Sequence, residues 1–364
     1  MNQSPLKIGI LTHIKHPIRE PFAGGLEAFT YDITRQFRRR GHEVTLFAHP
    51  DSAAELKVTP MAPVGSYRSD AQRHAHDTLS SDFIAEHHAY LACLQEIDDF
   101  GFDVIFNNAL HYVPVTMSGM ISTPMLTVLH TPPFFEMINA IAAQYKRGGG
   151  HYCTVSRANA KEWAELTPDC HVISNGIDLQ QWRPADGPVG AHAFWYGRLV
   201  ADKGAHLAID AARLAGVALR IAGQAIDPAY FAQEILPRLS DDVVYLGHLS
   251  RAELVDEVGR ASVCLVTPRW NEPFGLVVAE AIACGTPVAA FSRGAIPELL
   301  TTGTGVLAMA DSVTALAAAL LSARTLDRAA CRRHAQANWG IDLMVTRYEA
   351  LLASVARVKI PDYG

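Results

Sequence analysis

No Cys-x-x-Cys pair occurs among the six cysteines, Cys93, Cys153, Cys170, Cys264, Cys284 and Cys331, and no histidine spacing completes a zinc set. Their scatter through apolar runs such as SVCLVTP and AIACGTPV argues against a disulfide framework and for buried free thiols in a reducing compartment. Excess positive charge is missing too. The 364 residues carry a formal net charge of -6, which argues against nucleic acid or an anionic membrane as partner. No stretch reaches the roughly 18 uninterrupted apolar residues of a membrane span. The opening MNQSPLKIGILTH has one lysine and too short an apolar run for a secretory leader. The expected setting is cytoplasmic, compatible with peripheral contact at a membrane but with no stable insertion. Low-complexity tracts and short repeats are absent as well.

What is present is an ordinary globular composition, 49% hydrophobic and 19% charged, on a chain long enough for two cores. Short Val- and Ile-rich runs alternate with helical patterns, the signature of βα units on parallel sheets. In the first half LKIGILTH, HEVTLFAH, FDVIFNN, PMLTVLH, HYCTVS and HVIS read as strands. In the second half AFWYGRL, VALRIAG, VVYLG, SVCLVTP, TPVAAF and TGVLA do so. The segment from about Ser66 to Phe100 reads as one long helix or two shorter ones. The Pro- and Gly-containing stretch at 184–190 is the natural linker. Two doubly wound, Rossmann-like α/β domains are expected, residues 1–182 and 183–342, with a C-terminal helix in 343–364 joining the first. In open sheets of this kind the ligand lies beyond the carboxyl ends of the strands, so functional residues should directly follow strands.

Several do. Gly24-Gly25 closes a long loop after the first strand and opens a helix, either a tight turn or a place where an anion approaches backbone N–H groups. The Gly-x-Gly-x-x-Gly fingerprint follows the first strand of neither half, which argues against a nicotinamide or flavin dehydrogenase. His130 ends the strand PMLTVLH and His111 stands at a similar place; each is either a loop cap or a group that meets a sugar hydroxyl. Gly197-Arg198 and Lys203 follow the first strand of the second half. Two cations there are either solvated or aimed at a diphosphate whose departing charge they stabilise.

The stretch EPFGLVVAEA puts Glu272 in a loop and Glu280 inside the following helix. Pro273, Phe274, Gly275 and Leu276 are expected to form the first turn, with the N–H groups of Phe274, Gly275 and Leu276 facing the cleft. The alternative is an acid matched to the helix dipole and a second facing water. Carboxylates for hydroxyls at both ends, with cations between them, fit a nucleotide sugar.

Taken in order, GGLE, the LH at His130, VISNGID, YGRLVADKG, RIAG, VVYLGHLS and EPFGLVVAE followed by ACGTPV resemble the family 4 glycosyltransferases, retaining enzymes of the GT-B fold. The resemblance spans nearly the whole chain. It implies that Arg198 and Lys203 hold the donor diphosphate and that Glu272 meets hydroxyls of the transferred sugar. It further implies that Gly24, Gly25 and Gly197 lie near phosphate and sugar, His130 near the sugar, Glu280 on the ribose, and the turn through Leu249 at the base. No metal or other cofactor is implied, and no Asp-x-Asp triplet is present. UDP is the favoured base, then GDP, and the acceptor is a sugar, glycan, lipid-linked or small-molecule hydroxyl. A GT-B sugar-nucleotide epimerase and a non-catalytic nucleotide-sugar-binding protein are the alternatives.

Overall fold

The computed structural model describes residues 4–61, 81–146 and 149–357. The first strands are β1 (Lys7–Thr12), β2 (Glu43–Ala48), β3 (Thr59–Pro60), β4 (Val104–Asn108), β5 (Met125–Leu129), β6 (His151–Thr154) and β7 (His171–Val172). They form one parallel sheet in the order β3-β2-β1-β4-β5-β6-β7. A second parallel sheet has the order β10-β9-β8-β11-β12-β13. Its strands are β8 (Ala193–Tyr196), β9 (Leu219–Ala222), β10 (Val243–Tyr245), β11 (Val263–Val266), β12 (Val288–Phe291) and β13 (Gly305–Ala308). Helices cover both faces, which is why central strands such as VIFNN and AFWY are buried at every position rather than alternately.

All of the expected strands form. The two-residue β3 is additional, and it is too short to leave a pattern in the sequence. A helix occupies Ser81–Glu96 and a tight turn Ile97–Phe100; the rest of the helical reading before residue 81 lies outside the described residues. No helix among the described residues is long and apolar enough to cross a membrane.

The last helix, Ile341–Ala356, crosses back to the first sheet and packs on β4, β5 and the Gly25–Arg39 helix. Tyr348 is buried against Phe106, with ring centroids 5.1 Å apart, and Arg40 Nη1 donates to Glu349 Oε2 at 2.7 Å. The expected helix starts two residues earlier than read, and residues 358–364 lie outside the described set. All six cysteines are free.

In each sheet the strand order reverses direction at one place, between β1 and β4 and between β8 and β11. The loops leaving those strands are Thr12 to Gly24, Ala109 to His111, Gly197 to Gly204 and Thr267 to Gly275. They face one another across a cleft of about 600 Å³.

Candidate functional site

The second sheet builds one wall by stitching two loops together. Thr267, just beyond β11, donates its hydroxyl to the Lys203 carbonyl at 2.8 Å and accepts from Trp195 Nε1 at 2.9 Å. Arg269 N adds a bond to the Asp202 carbonyl at 2.7 Å. The backbone carrying Lys203 is thereby fixed against the loop that carries Glu272. The two side chains meet: Lys203 Nζ lies 2.7 Å from Glu272 Oε2, with both only partly exposed. Trp270 Nε1 donates to the same oxygen at 3.1 Å, and the Lys203 ammonium sits 5.0 Å from the Trp270 ring centroid. Arg198 is exposed at the cleft edge and forms no ion pair among the described residues.

The helix after Glu272 starts later than its sequence suggests. It spans Leu276–Ala283, and Gly275 is its N-cap, with φ of 97°. Pro273 and Phe274 therefore precede the first turn instead of forming it, and Phe274 puts its ring into the core, 3% exposed. The left-handed glycine is the physical reason, because it breaks the helical dihedrals that Pro at N1 would otherwise begin. Phe274, Gly275 and Leu276 still line the cleft.

Glu280 points back from that helix into the same space. Tyr196 donates its hydroxyl to Glu280 Oε2 at 2.6 Å. Burial pushes the carboxyl up to about 7, and nearby Asp32 adds to the rise, while the Tyr196 hydrogen bond and the Arg251 charge pull it down. The native state therefore holds a proton that the unfolded chain releases between its ordinary value and about 7. This contribution to stability is complete at acid pH and is lost as pH rises through 7. A ligand hydroxyl, in contrast, is better accepted by the ionised form. Nucleotide affinity is expected to rise between pH 6 and 8 relative to a Glu280→Gln variant, while the melting temperature of the free protein falls relative to that variant. Parallel calorimetric titrations check this, since subtracting the variant removes titration of the ligand phosphates. Identical pH profiles for the two proteins would contradict it.

The facing wall comes from the first sheet. His130 Nε2 lies 2.8 Å from Asn108 Oδ1, and burial, aided by the charge of His13, pushes its pKa down to about 3. A neutral ring whose Nε2–H is committed to Asn108 leaves Nδ1 as an acceptor. His111 behaves as the simpler reading of it anticipated: its Nδ1 accepts from Val113 N at 3.2 Å and caps a short helix. Gly24 has extended backbone, and a side chain on Gly25 would meet Leu276 Cδ1 at 2.7 Å. The Gly pair thus admits a side chain from the opposite wall, a partner that the sequence around it cannot reveal.

Among the residues that the sequence did not single out, His13, Glu27, Arg251 and Trp270 also line the cleft. His13 Nε2 lies 3.0 Å from Glu27 Oε1, both buried, although the contact is not aligned for a linear hydrogen bond. Burial works to raise the Glu27 carboxyl, but His13 and a backbone N–H outweigh it and hold it below the usual value. Arg251 joins the two halves. It extends from the first turn of its helix, capped by Ser250 with Glu253 in a reciprocal pair, to Asp32 at 3.0 Å and Gln181 at 2.8 Å. The Ser-x-x-Glu signal for that helix start was legible, but the destination of the arginine was not.

Each candidate from the sequence, Gly24, Gly25, His130, Gly197, Arg198, Lys203, Leu249, Glu272, Phe274, Gly275, Leu276 and Glu280, lines this single cleft. Two doubly wound domains that face each other across such a site define the GT-B architecture. Residues 23–181 match the family model described as Glycosyltransferase Family 4, and residues 191–338 match Glycosyl transferases group 1. Glycogen synthase of Mycobacterium tuberculosis is 31% identical over 357 residues, covering 86% of this chain and 85% of that protein. D-inositol 3-phosphate glycosyltransferase of Mycolicibacterium smegmatis is 26% identical over 418 residues, covering 99% and 93%. Among solved structures, AviGT4, a glycosyltransferase involved in avilamycin A biosynthesis, superposes with a TM-score of 0.70 at 23% identity, over 97% of this chain and 99% of that one. Anabaena Alr3699/HepE in complex with UDP and glucose gives 0.74 at 20% identity, over 96% and 100%. The chain belongs to the family 4 glycosyltransferases.

Proposed function

We propose that this glycosyltransferase moves a sugar from a nucleotide sugar to an acceptor hydroxyl, with retention at the anomeric carbon and without a metal ion. The observation that carries this reading is the convergence on one cleft of two cations, Arg198 and Lys203, with the carboxylates Glu272 and Glu280. Arg198 and Lys203 neutralise the charge that builds on the departing diphosphate, as a metal ion would elsewhere. Glu272 takes hydroxyls of the transferred sugar and Glu280 those of the ribose. His130, neutral and with a free acceptor nitrogen, takes another sugar hydroxyl.

The carboxylates available favour front-side attack over a glycosyl-enzyme intermediate. Glu27 and Glu86, the acidic residues of the first half that line the cleft among the described residues, are paired with His13 and Lys15, so each is a poor candidate for a glycosyl-enzyme nucleophile. In the front-side step the bond from anomeric carbon to phosphate oxygen breaks and the acceptor oxygen bonds to the same face of that carbon. The departing diphosphate takes the acceptor proton. UDP is preferred to GDP as the base, supported by the Alr3699/HepE complexes with UDP-glucose and UDP.

A thermal-shift screen of UDP, GDP, ADP and their sugars tests the donor. A ligand at about 100 times its Kd stabilises the native state by roughly 2.7 kcal/mol, and UDP compounds are expected to give the largest rise. Product stereochemistry by NMR is expected to show retention, and turnover is expected to survive a chelator. No shift with any of the nucleotides removes the donor reading, and inversion removes the front-side step. Conversion of a UDP-sugar to its epimer without an acceptor transfers the assignment to an epimerase.

A further inference from the structure

The Lys203–Glu272 pair has a third member whose geometry suits a function of its own. An indole nitrogen only donates, and Trp270 Nε1 donates to Oε2 of Glu272, the oxygen that Lys203 also holds. Both donors therefore load one carboxylate oxygen. The face of the same indole lies against the Lys203 ammonium, 5.0 Å from the ring centroid. Trp270 stands two residues ahead of Glu272 on the loop leaving β11, and it lines the cleft.

We propose that Trp270 is a positioning residue for the transfer reaction. Its N–H turns Glu272 so that Oε1 is presented to a hydroxyl of the donor sugar, and its face keeps Lys203 beside the site while the ammonium passes from Glu272 to the diphosphate. This rests on the donor reading above. With the diphosphate bound, Lys203 has two anions to serve, and a carboxylate held by lysine alone would turn with it. The indole N–H removes that coupling.

The two contacts separate by substitution. Trp270→Phe keeps an aromatic face for Lys203 but deletes the N–H, and Trp270→Ala deletes both. Because the N–H acts through Glu272 and the face through Lys203, the expected result is a kcat lowered about tenfold in Trp270→Phe with KM for the donor changed less than threefold, and a kcat lowered roughly a hundredfold with a raised donor KM in Trp270→Ala. In a Glu272→Gln background, Trp270→Phe is expected to lower kcat less than twofold further, a non-additivity that a merely structural tryptophan would not produce. Melting temperatures and donor-induced thermal shifts are measured on every variant. Wild-type kcat in Trp270→Phe, or full additivity with Glu272→Gln, overturns the role of Trp270 while leaving the donor reading intact. Absence of any donor-induced shift in the wild type overturns the donor reading itself.

Discussion

Replacing Lys203 by alanine is expected to lower kcat by about 10²–10³-fold, the effect of deleting one preorganised group from a site that stabilises developing negative charge. Affinity for free nucleoside diphosphate should fall with it, since the same ammonium meets the phosphates in the ground state. The fold should survive. Lys203 and Glu272 are partly solvated, so their pairing contributes little net stability, and Glu272 keeps the Trp270 hydrogen bond at 3.1 Å. Lys203→Arg should recover only part of the rate, because a longer, planar guanidinium fork cannot put its charge at the point a compact ammonium occupies beside Glu272 Oε2. Since Lys203 and Glu272 act on one another, Lys203→Ala combined with Glu272→Ala should cost much less than the product of the single losses. Steady-state kinetics with the best donor from the thermal-shift screen checks this. Near wild-type turnover in Lys203→Ala would remove the site assignment.

Gly223→Ala is expected to be the most damaging single-methyl change in the second domain, at about 3–5 kcal/mol or outright failure to fold. Gly223 follows β9 with φ of +147°, and a Cβ there would lie 1.8 Å from the Gly197 carbonyl oxygen and 2.7 Å from its carbon. Both are backbone atoms that cannot rotate away. Gly197 is itself held by its N–H on the Ala222 carbonyl at 3.0 Å, and Gly223 N donates to Gly247 O at 2.8 Å. The loops leaving β8, β9 and β10 are thus nested, and a retreat of Gly197 would shift the backbone that carries Arg198. Denaturant midpoints and nucleotide titration on the same preparation check the prediction. A variant within 0.5 kcal/mol of the wild type, about the spread of a neutral surface change, would contradict the close approach.

Much of the architecture was legible because it rests on local rules. Period and run length marked the longer strands, while β3 left no trace because two residues have no period. The helix after Glu272 was placed too early. Pro273 suggests a first helical turn, but a glycine in the left-handed region two residues on delays the helix to Leu276. Of the cleft residues, those that follow strands in glycine-, cation- or acid-bearing loops could be named from spacing. Trp270 could not, since a tryptophan beside a strand reads as core, and nothing local shows that its N–H reaches a carboxylate.

By itself the sequence determined which residues leave the strand tips and what chemistry they carry, because chain direction in a parallel sheet places every such loop on one edge. Only the tertiary structure decided what those groups touch. Lys203 meets Glu272 across 69 positions, Arg251 meets Asp32 across 219, and burial in the surrounding core pushes the Glu280 carboxyl up to about 7. Pairing at such separations is set by how loops pack within a sheet's edge and how the two domains meet, and burial by what packs over a carboxylate. Neither is encoded in the neighbours of any one residue.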